Sequence, residues 1–345
     1  MKKMRRKVKV GITMGDPSGI GPSIIKGALK KLGPIAEFIV IGDEWVFEKV
    51  QSSKLKAQSS KLSSTGYKEA CGISPAIKYN GRKNYTFIDL DNIAHKNFKF
   101  GQIKAEYGKA SIEYLDKALG LIEKKEIDCL VTSPISKEAI NLAGFSYSGH
   151  TEYFSERCLA KDTVMMLLNR HLKFSLATRH IPLIDVPAAI NEERLYKTIS
   201  VTHRALKNLF SIEEPRIVVC GVNPHASDNG IIGKEENRII KPLLESLKKT
   251  IPSLDGPLSA DVAIAKAKLK RYDCVIAMYH DQALIALKLL GNDTGVNLTL
   301  GLPFIRTSPL HGTAFDIAGT NLANPNSLIA AVRLAIRCTL NQKRD

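Results

Sequence analysis

Residues 273–279 read DCVIAMY, and His280 follows at once. A short run of Val, Ile, Ala and Met bounded by an acid and a polar residue reads as a buried β-strand. The same unit recurs twice. KFSLAT (173–178) is closely followed by His180, and RIVVCGVNP (216–224) by His225. In an open parallel sheet, ligands bind beyond the carboxyl ends of the strands. Three imidazoles delivered there can hold a divalent metal and leave coordination positions for a substrate.

Outward from these runs, strand-like and helix-like segments alternate along the chain. VKVGITM precedes helical PSIIKGALKKL, and AEFIVIGD precedes WVFEKV. An amphipathic helix is expected over roughly 104–125, with Ala105, Ile112, Leu115, Ala118, Leu119 and Ile122 on one stripe. DCLVTSP, TVMMLLN and VNLTLG are further strands, and a helix from about Asn326 to Leu340 ends the pattern. The alternation predicts an α/β fold with a largely parallel sheet. Residues 51–82 are weakly hydrophobic and read as a loop or insertion. The rhythm breaks near 135–150, where a boundary between two lobes is expected.

With 345 residues, 44% of them hydrophobic, the chain can bury a full core, and length favours two lobes. No apolar run has the length of a membrane span. MKKMRRKVKV is basic but leads into GITMGDPSGIGP rather than an apolar signal core, so a cytoplasmic protein is expected. The formal charge of +16 comes from scattered Lys and Arg. That pattern argues against a nucleic-acid partner and for a field that attracts anionic small molecules. The six cysteines form no CxxC pair, and Cys129, Cys220 and Cys274 read as small buried residues.

His280 opens HDQALIALK, so on a helix Lys288 lies two turns away on the same broad stripe. Its ammonium suits a phosphate or carboxylate. Asp281 is a candidate proton acceptor or metal-supporting carboxylate. His150 and Thr151, after Gly149, open the helical EYFSERCLA and make an anion site at a helix start. Asn297 in GVNLTLG and Arg306 in LPFIRTS are further anion contacts. GDPSGIGP is neither GxGxxG nor a P-loop, and its glycines mean a tight turn. In HGTAFDIAGTNLANP (311–325), His311 is placed to stack on a base, Asp316 to accept from a ribose hydroxyl, and Asn324 to bond a base edge. An acid beside the ribose favours NAD over NADP. Each of these residues also has an ordinary structural reading as a cap, turn or packed side chain. His95, His171 and His203 are assigned no role.

The segments TMGDPSGIGP, SGHTEYF, TRHIPL, GVNPHA, GPLSAD, AMYHDQALIALK and GVNLTLGLPFIRTSPLHGTAFDIAG together resemble the 4-hydroxythreonine-4-phosphate dehydrogenase family. The likeness runs from about residue 8 to the C-terminus and is weakest over 45–100. It implies a two-lobed α/β/α fold like that of isocitrate and isopropylmalate dehydrogenases, with the active site in the cleft between lobes. On that reading residues 1–138 and about 300–345 form the first lobe and 139–299 the second. The resemblance implies metal ligands His180, His225 and His280, and substrate contacts His150, Thr151, Lys288, Asn297 and Arg306. It also implies an adenosine-binding loop carrying His311, Asp316 and Asn324, and a homodimer with the site at the subunit interface. The implied substrate is 4-phosphooxy-L-threonine, with threonate or erythronate 4-phosphate as alternatives. Imidazole ligands suit Zn²⁺ or Co²⁺ better than Mg²⁺. Asp281, Asp261 and Lys137 are unranked candidates for the general base. Two departures stand out: SPISKEAI differs in detail, and Arg179 replaces the small polar residue commoner in TRHIPL.

Overall fold

The computed structural model describes residues 6–50 and 84–342. The 51–82 segment read as an insertion lies outside them. Eleven strands form one sheet: β1 Lys9–Thr13, β2 Glu37–Gly42, β3 Tyr85–Asp89, β4 Cys129–Thr132, β5 Val164–Leu168, β6 Lys173–Leu176, β7 Ile217–Cys220, β8 Leu254–Leu258, β9 Cys274–Ala277, β10 Val296–Leu300 and β11 Ile305–Pro309. The helices are α1 Gly21–Leu32, α2 Glu44–Lys49, α3 Ala105–Glu123, α4 Lys137–Leu142, α5 His150–Arg157, α6 Val186–Ala189, α7 Glu192–Asn208, α8 Lys241–Leu247, α9 Ala260–Lys268, α10 His280–Leu289 and α11 Asn326–Gln342.

The strand order is β3-β2-β1-β4-β11-β10-β5-β6-β9-β7-β8. Two parallel wings flank an antiparallel centre. β10 opposes both β11 and β5, and β5 opposes β6. The α/β expectation holds, but a largely parallel sheet describes only the wings. Two of the reversals are local, β5 turning back into β6 and β10 into β11, and the third pairs β10 with the distant β5, as in Val296 with Leu168. Three strands were unread. β11 carries Arg306 inside it, β8 is Leu-Asp-Gly-Pro-Leu, and β3 is half exposed, so none shows a clean apolar pattern.

The core follows from the pleat. On β5, Met166 and Leu168 join the larger apolar cluster, while Met165 and Leu167 join the smaller one across the sheet. Cys129, Cys220, Cys274 and Cys338 are buried. No described helix is long and apolar enough to cross a membrane.

GDPSGIGP is the expected tight turn. Gly15 has φ +72°, and a Cβ there would lie 2.3 Å from the Pro134 carbonyl oxygen. Asp16 within it is fully buried. Its Oδ1 accepts from the Ser18 amide at 2.9 Å and the Ser18 hydroxyl at 3.0 Å, and its Oδ2 has no partner. Burial pushes this carboxyl up from 3.8 to about 6, against the Ser18 hydrogen bonds that lower it. Above about pH 6 the acid is ionised folded and unfolded, so the fold bears the whole desolvation cost. Below the unfolded value both states are protonated and the cost vanishes. Asp16→Asn is therefore expected to raise stability at pH 8 by on the order of 3 kcal/mol, the gain fading as the pH falls towards 4. Melting temperatures of both proteins across that range check it.

Candidate active site

β6, β9 and β7 are adjacent and parallel, so the loops bearing His180, His280 and His225 leave the sheet on one edge. The His180 and His280 rings lie 5.5 Å apart, centroid to centroid. His280 Nδ1 is 2.7 Å from Asp281 Oδ1. That contact fixes the ring and directs Nε2 to any ligand. Burial, and then the Lys137 ammonium, lower the His180 pKa, which favours the neutral, metal-binding form.

His225 stands apart from that pair. Among the described residues, no group of three or more His, Cys, Asp or Glu side chains is drawn together for a metal. His225 is exposed and begins five consecutive left-handed residues, His225 to Asn229, with φ between 44° and 70°. Each non-glycine residue in that region costs roughly 1 kcal/mol or more. Asp261, in the first turn of α9, lies within electrostatic reach of His225. The Ser259 hydroxyl, first, and the neighbouring backbone hold its carboxyl below the usual value.

Across β5 and β10 a cavity of about 300 Å³ opens at the ends of β4 and β11. Its wall includes Lys137, His150, Thr151, Asn297, Arg306 and His311, together with His180. Local sequence explains how several arrive. Ser136 caps α4, its Oγ accepting the Ala139 amide, which sets Lys137 at the first helical position beyond β4. Gly149 caps α5 without a side-chain bond, leaving the amides at the start of that helix for another acceptor.

Arg306 is the most telling member. It is 1% exposed. Its guanidinium donates to Thr132 Oγ1 (2.6 and 3.2 Å) and Thr299 Oγ1 (3.0 Å), and it lies 5.9 Å from the centre of the Phe154 ring. The neighbours on all three bonds are hydroxyls. Burial pulls its pKa down to about 9, with Glu152 the single opposing influence. Around it, His150 Nε2, Asn297 Oδ1 and His311 Nε2 are buried without hydrogen-bond partners. Burial, and then Arg306, hold His150 well below the ordinary imidazole pKa, so it stays neutral. Buried polar atoms are almost always satisfied. With the unpartnered imidazoles of His150 and His311 near a guanidinium bonded only to hydroxyls, the site is shaped for an anionic ligand, to which Asn297 would donate through its side-chain amide N–H₂.

The other expected residues lie elsewhere. Lys288 is exposed on α10 and is not among the cavity residues. Asp316 is exposed in a short 3₁₀ turn, Phe315–Ile317. Asn324 accepts the Asn326 amide at 3.0 Å and so caps the approach to α11. Thr132 and Thr299 were not singled out from sequence, because only the folded pairing of β4, β10 and β11 makes them neighbours of Arg306, and Glu152 reaches the same site from α5. Glu152 lines the cavity and lies 3.8 Å from Arg179, whose Nη1 is buried without a hydrogen-bond partner.

With this geometry in view, comparison with known proteins is decisive. Residues 34–335 match the family described as pyridoxal phosphate biosynthetic protein PdxA. The chain belongs to that family. It is 43% identical over 330 residues to a 4-hydroxythreonine-4-phosphate dehydrogenase of Sulfurihydrogenibium sp. (strain YO3AOP1), covering 95% of this chain and 98% of the relative. It is 38% identical over 328 residues to the enzyme of that name from Desulforapulum autotrophicum, covering 94% of each. A crystal structure of the Klebsiella pneumoniae 4-hydroxythreonine-4-phosphate dehydrogenase superposes with TM-score 0.80 at 34% identity, covering 98% of this chain and 99% of that one. The family's enzymes are oxidoreductases, and this chain is one of them.

Arg306 yields a test that needs no substrate. Arg306→Met removes a buried charge whose partners are hydroxyls, so the ligand-free protein is expected to keep or gain stability, by about 1–3 kcal/mol. Inorganic phosphate should raise the melting temperature of the parent and leave that of the variant unmoved. An equal rise in both would exclude Arg306 as an anion contact.

Proposed function

We propose that this PdxA chain is an NAD-dependent, metal-assisted dehydrogenase. It oxidises 4-phosphooxy-L-threonine to 2-amino-3-oxo-4-phosphooxybutanoate, which decarboxylates to 3-amino-2-oxopropyl phosphate in pyridoxal 5'-phosphate biosynthesis. The observation that carries the reading is the buried Arg306, bonded to hydroxyls and set among unpartnered polar atoms of a small cavity. The names of the relatives supply the substrate.

In this mechanism Arg306, Thr151 and the free amides at the start of α5 bind the phosphate, and His150 and Asn297 complete its hydrogen bonds. His180 and His280 would hold a divalent ion, with His225 from the adjacent strand end as third donor. The paired imidazoles and the Asp281 support suit Zn²⁺ or Co²⁺ better than Mg²⁺. Such an ion would lower the pKa of the substrate alcohol, and NAD would supply the hydride acceptor. Lys137 takes the alcohol proton. It lines the cavity beside His180, whereas Asp281 is engaged by His280 and Asp261 lies by His225. The cationic wall then disperses the enolate charge left as CO₂ departs.

His311, Asp316 and Asn324 would hold the adenosine of NAD, and the Asp316 carboxylate would disfavour the 2′-phosphate of NADP. His311 Nε2, buried and unpartnered, supports this placement. Lys288 serves the site from across a homodimer interface. Ile285 and Leu289, 63% and 81% exposed on the same helix, support α10 as part of that interface. The two parallel wings support lobes of 1–138 with about 300–345, and 139–299. One observation favours a second substrate within the class. Arg179 lies close to Glu152, the acid of the cavity wall that would meet a substrate ammonium. That contact favours a hydroxyl at C2, as in threonate or erythronate 4-phosphate.

Formation of NADH from a panel of four-carbon hydroxy-acid phosphates, with and without chelator, tests the function. Phosphooxythreonine is expected to turn over fastest, and chelation to abolish the rate; chelator-resistant turnover would refute the metal. His225→Ala is expected to lower metal affinity at least about tenfold, and unchanged metal content and rate would remove it from the ligand set. Asp316→Asn should move the NAD/NADP preference towards NADP by about tenfold. A ratio that stays put would end the ribose assignment.

A further inference from the structure

The left-handed turn that carries His225 is held from below by a carboxylate. Glu236 begins a single π-helical turn, Glu236–Ile240, and is fully buried. Its Oε1 accepts the backbone amides of Val222 and Asn223, both at 2.8 Å. Its Oε2 accepts the Asn223 side-chain amide at 2.9 Å. Packing leaves no slack, because a Cβ on Gly221 would lie 2.8 Å from Ala226 Cα and 2.9 Å from Glu236 Oε1.

The neighbouring strand ends are tied in sequence. Gln282 on α10 accepts the Met278 amide at 2.7 Å and donates to the Gly221 carbonyl at 3.0 Å. The Thr178 hydroxyl donates to the Met278 carbonyl at 2.6 Å. Thr178, Met278 and Asn223 each lie two residues before one of the three histidines. The hydrogen bonds form a belt across the ends of β6, β9 and β7, with Glu236 as its clasp on the β7 side.

We infer that Glu236 is a positioning residue for His225, fixing that imidazole relative to His180 and His280; this rests on the reading of His225 as a metal ligand. The chemistry requires a carboxylate. All three hydrogen bonds come from donors, and both side-chain oxygens must accept. Glutamine keeps the volume but sets an N–H₂ against the Asn223 N–H₂, and aspartate is one methylene short.

Zinc affinity of the full chain, measured by chelator competition, tests the inference on Glu236→Gln, His225→Ala and the double variant. Glu236→Gln is expected to weaken zinc binding by about 10–100-fold. The double variant should bind no more weakly than His225→Ala alone, because a residue acting through His225 has nothing left to act on. Glu245→Gln, an exposed charge on α8, should bind zinc as the parent does. In the metal-free protein, hydrogen exchange at the Val222 and Asn223 amides should quicken in Glu236→Gln. Parental zinc affinity in Glu236→Gln, or losses that multiply in the double variant, would overturn the assignment. If His225→Ala alone binds zinc normally, the ligand reading and the positioning role both fall, while quickened exchange would still reveal a purely structural clamp. Should Glu236→Gln not fold, Asn223→Ala, which removes the side-chain amide held by Glu236 and Glu235, takes its place in the same cycle. Undiminished zinc affinity there would equally overturn the inference.

Discussion

A guanidinium taken out of water and surrounded by hydroxyls is expensive to keep. Arg306 is held in that state at the middle of the sheet, on β11, where it pairs across to Thr299 of β10 and stands beside Thr132 of β4. Hydroxyls orient the group without neutralising it, so its charge stays available to a ligand. The Phe154 ring beneath and the neutral His150 beside it close the pocket on the protein side. The remaining compensation has to come from an anion.

The antiparallel centre of the sheet follows the same logic. Side chains alternate along β10, so Asn297 lines the cavity, Thr299 accepts from the Arg306 guanidinium, and Leu298 packs into the core on the other face. The phosphate-shaped pocket and the histidine-bearing edge are thereby set on either side of one short antiparallel segment. His180 is common to both, since it lines the cavity and stacks obliquely towards His280. A small extended substrate with a phosphate at one end and an oxidisable alcohol further along matches that layout.

Much of this was legible in the amino-acid order. The Val, Ile and Leu runs mark β1, β2, β4, β5, β7 and β9 because their residues are buried on both faces, and the amphipathic stripe of α3 marks its span. Histidines directly after three such runs could be placed on one edge because β6, β9 and β7 are parallel neighbours. What stayed hidden depends on distant pairing or on backbone conformation. β11 looks like a loop because an arginine interrupts it. The left-handed run from His225 to Asn229 has no apolar signature, and only its Asp-Asn-Gly ending hints at positive φ. Glu236 reads as a surface acid in a lysine-rich stretch, and only the fold shows it buried under the His225 loop. Asn324, read as a base contact, also accepts the Asn326 amide.

The central claim is that recognition is built on the phosphate, with Arg306 as its counter-charge. The most direct measurement is kcat/KM for NADH formation from 4-phosphooxy-L-threonine against 4-hydroxy-L-threonine, the same molecule without the phosphoryl group. A site that buries a cation for one ligand group should reject the analogue lacking it by on the order of 10³-fold or more. Comparable kcat/KM values for the two would contradict the account.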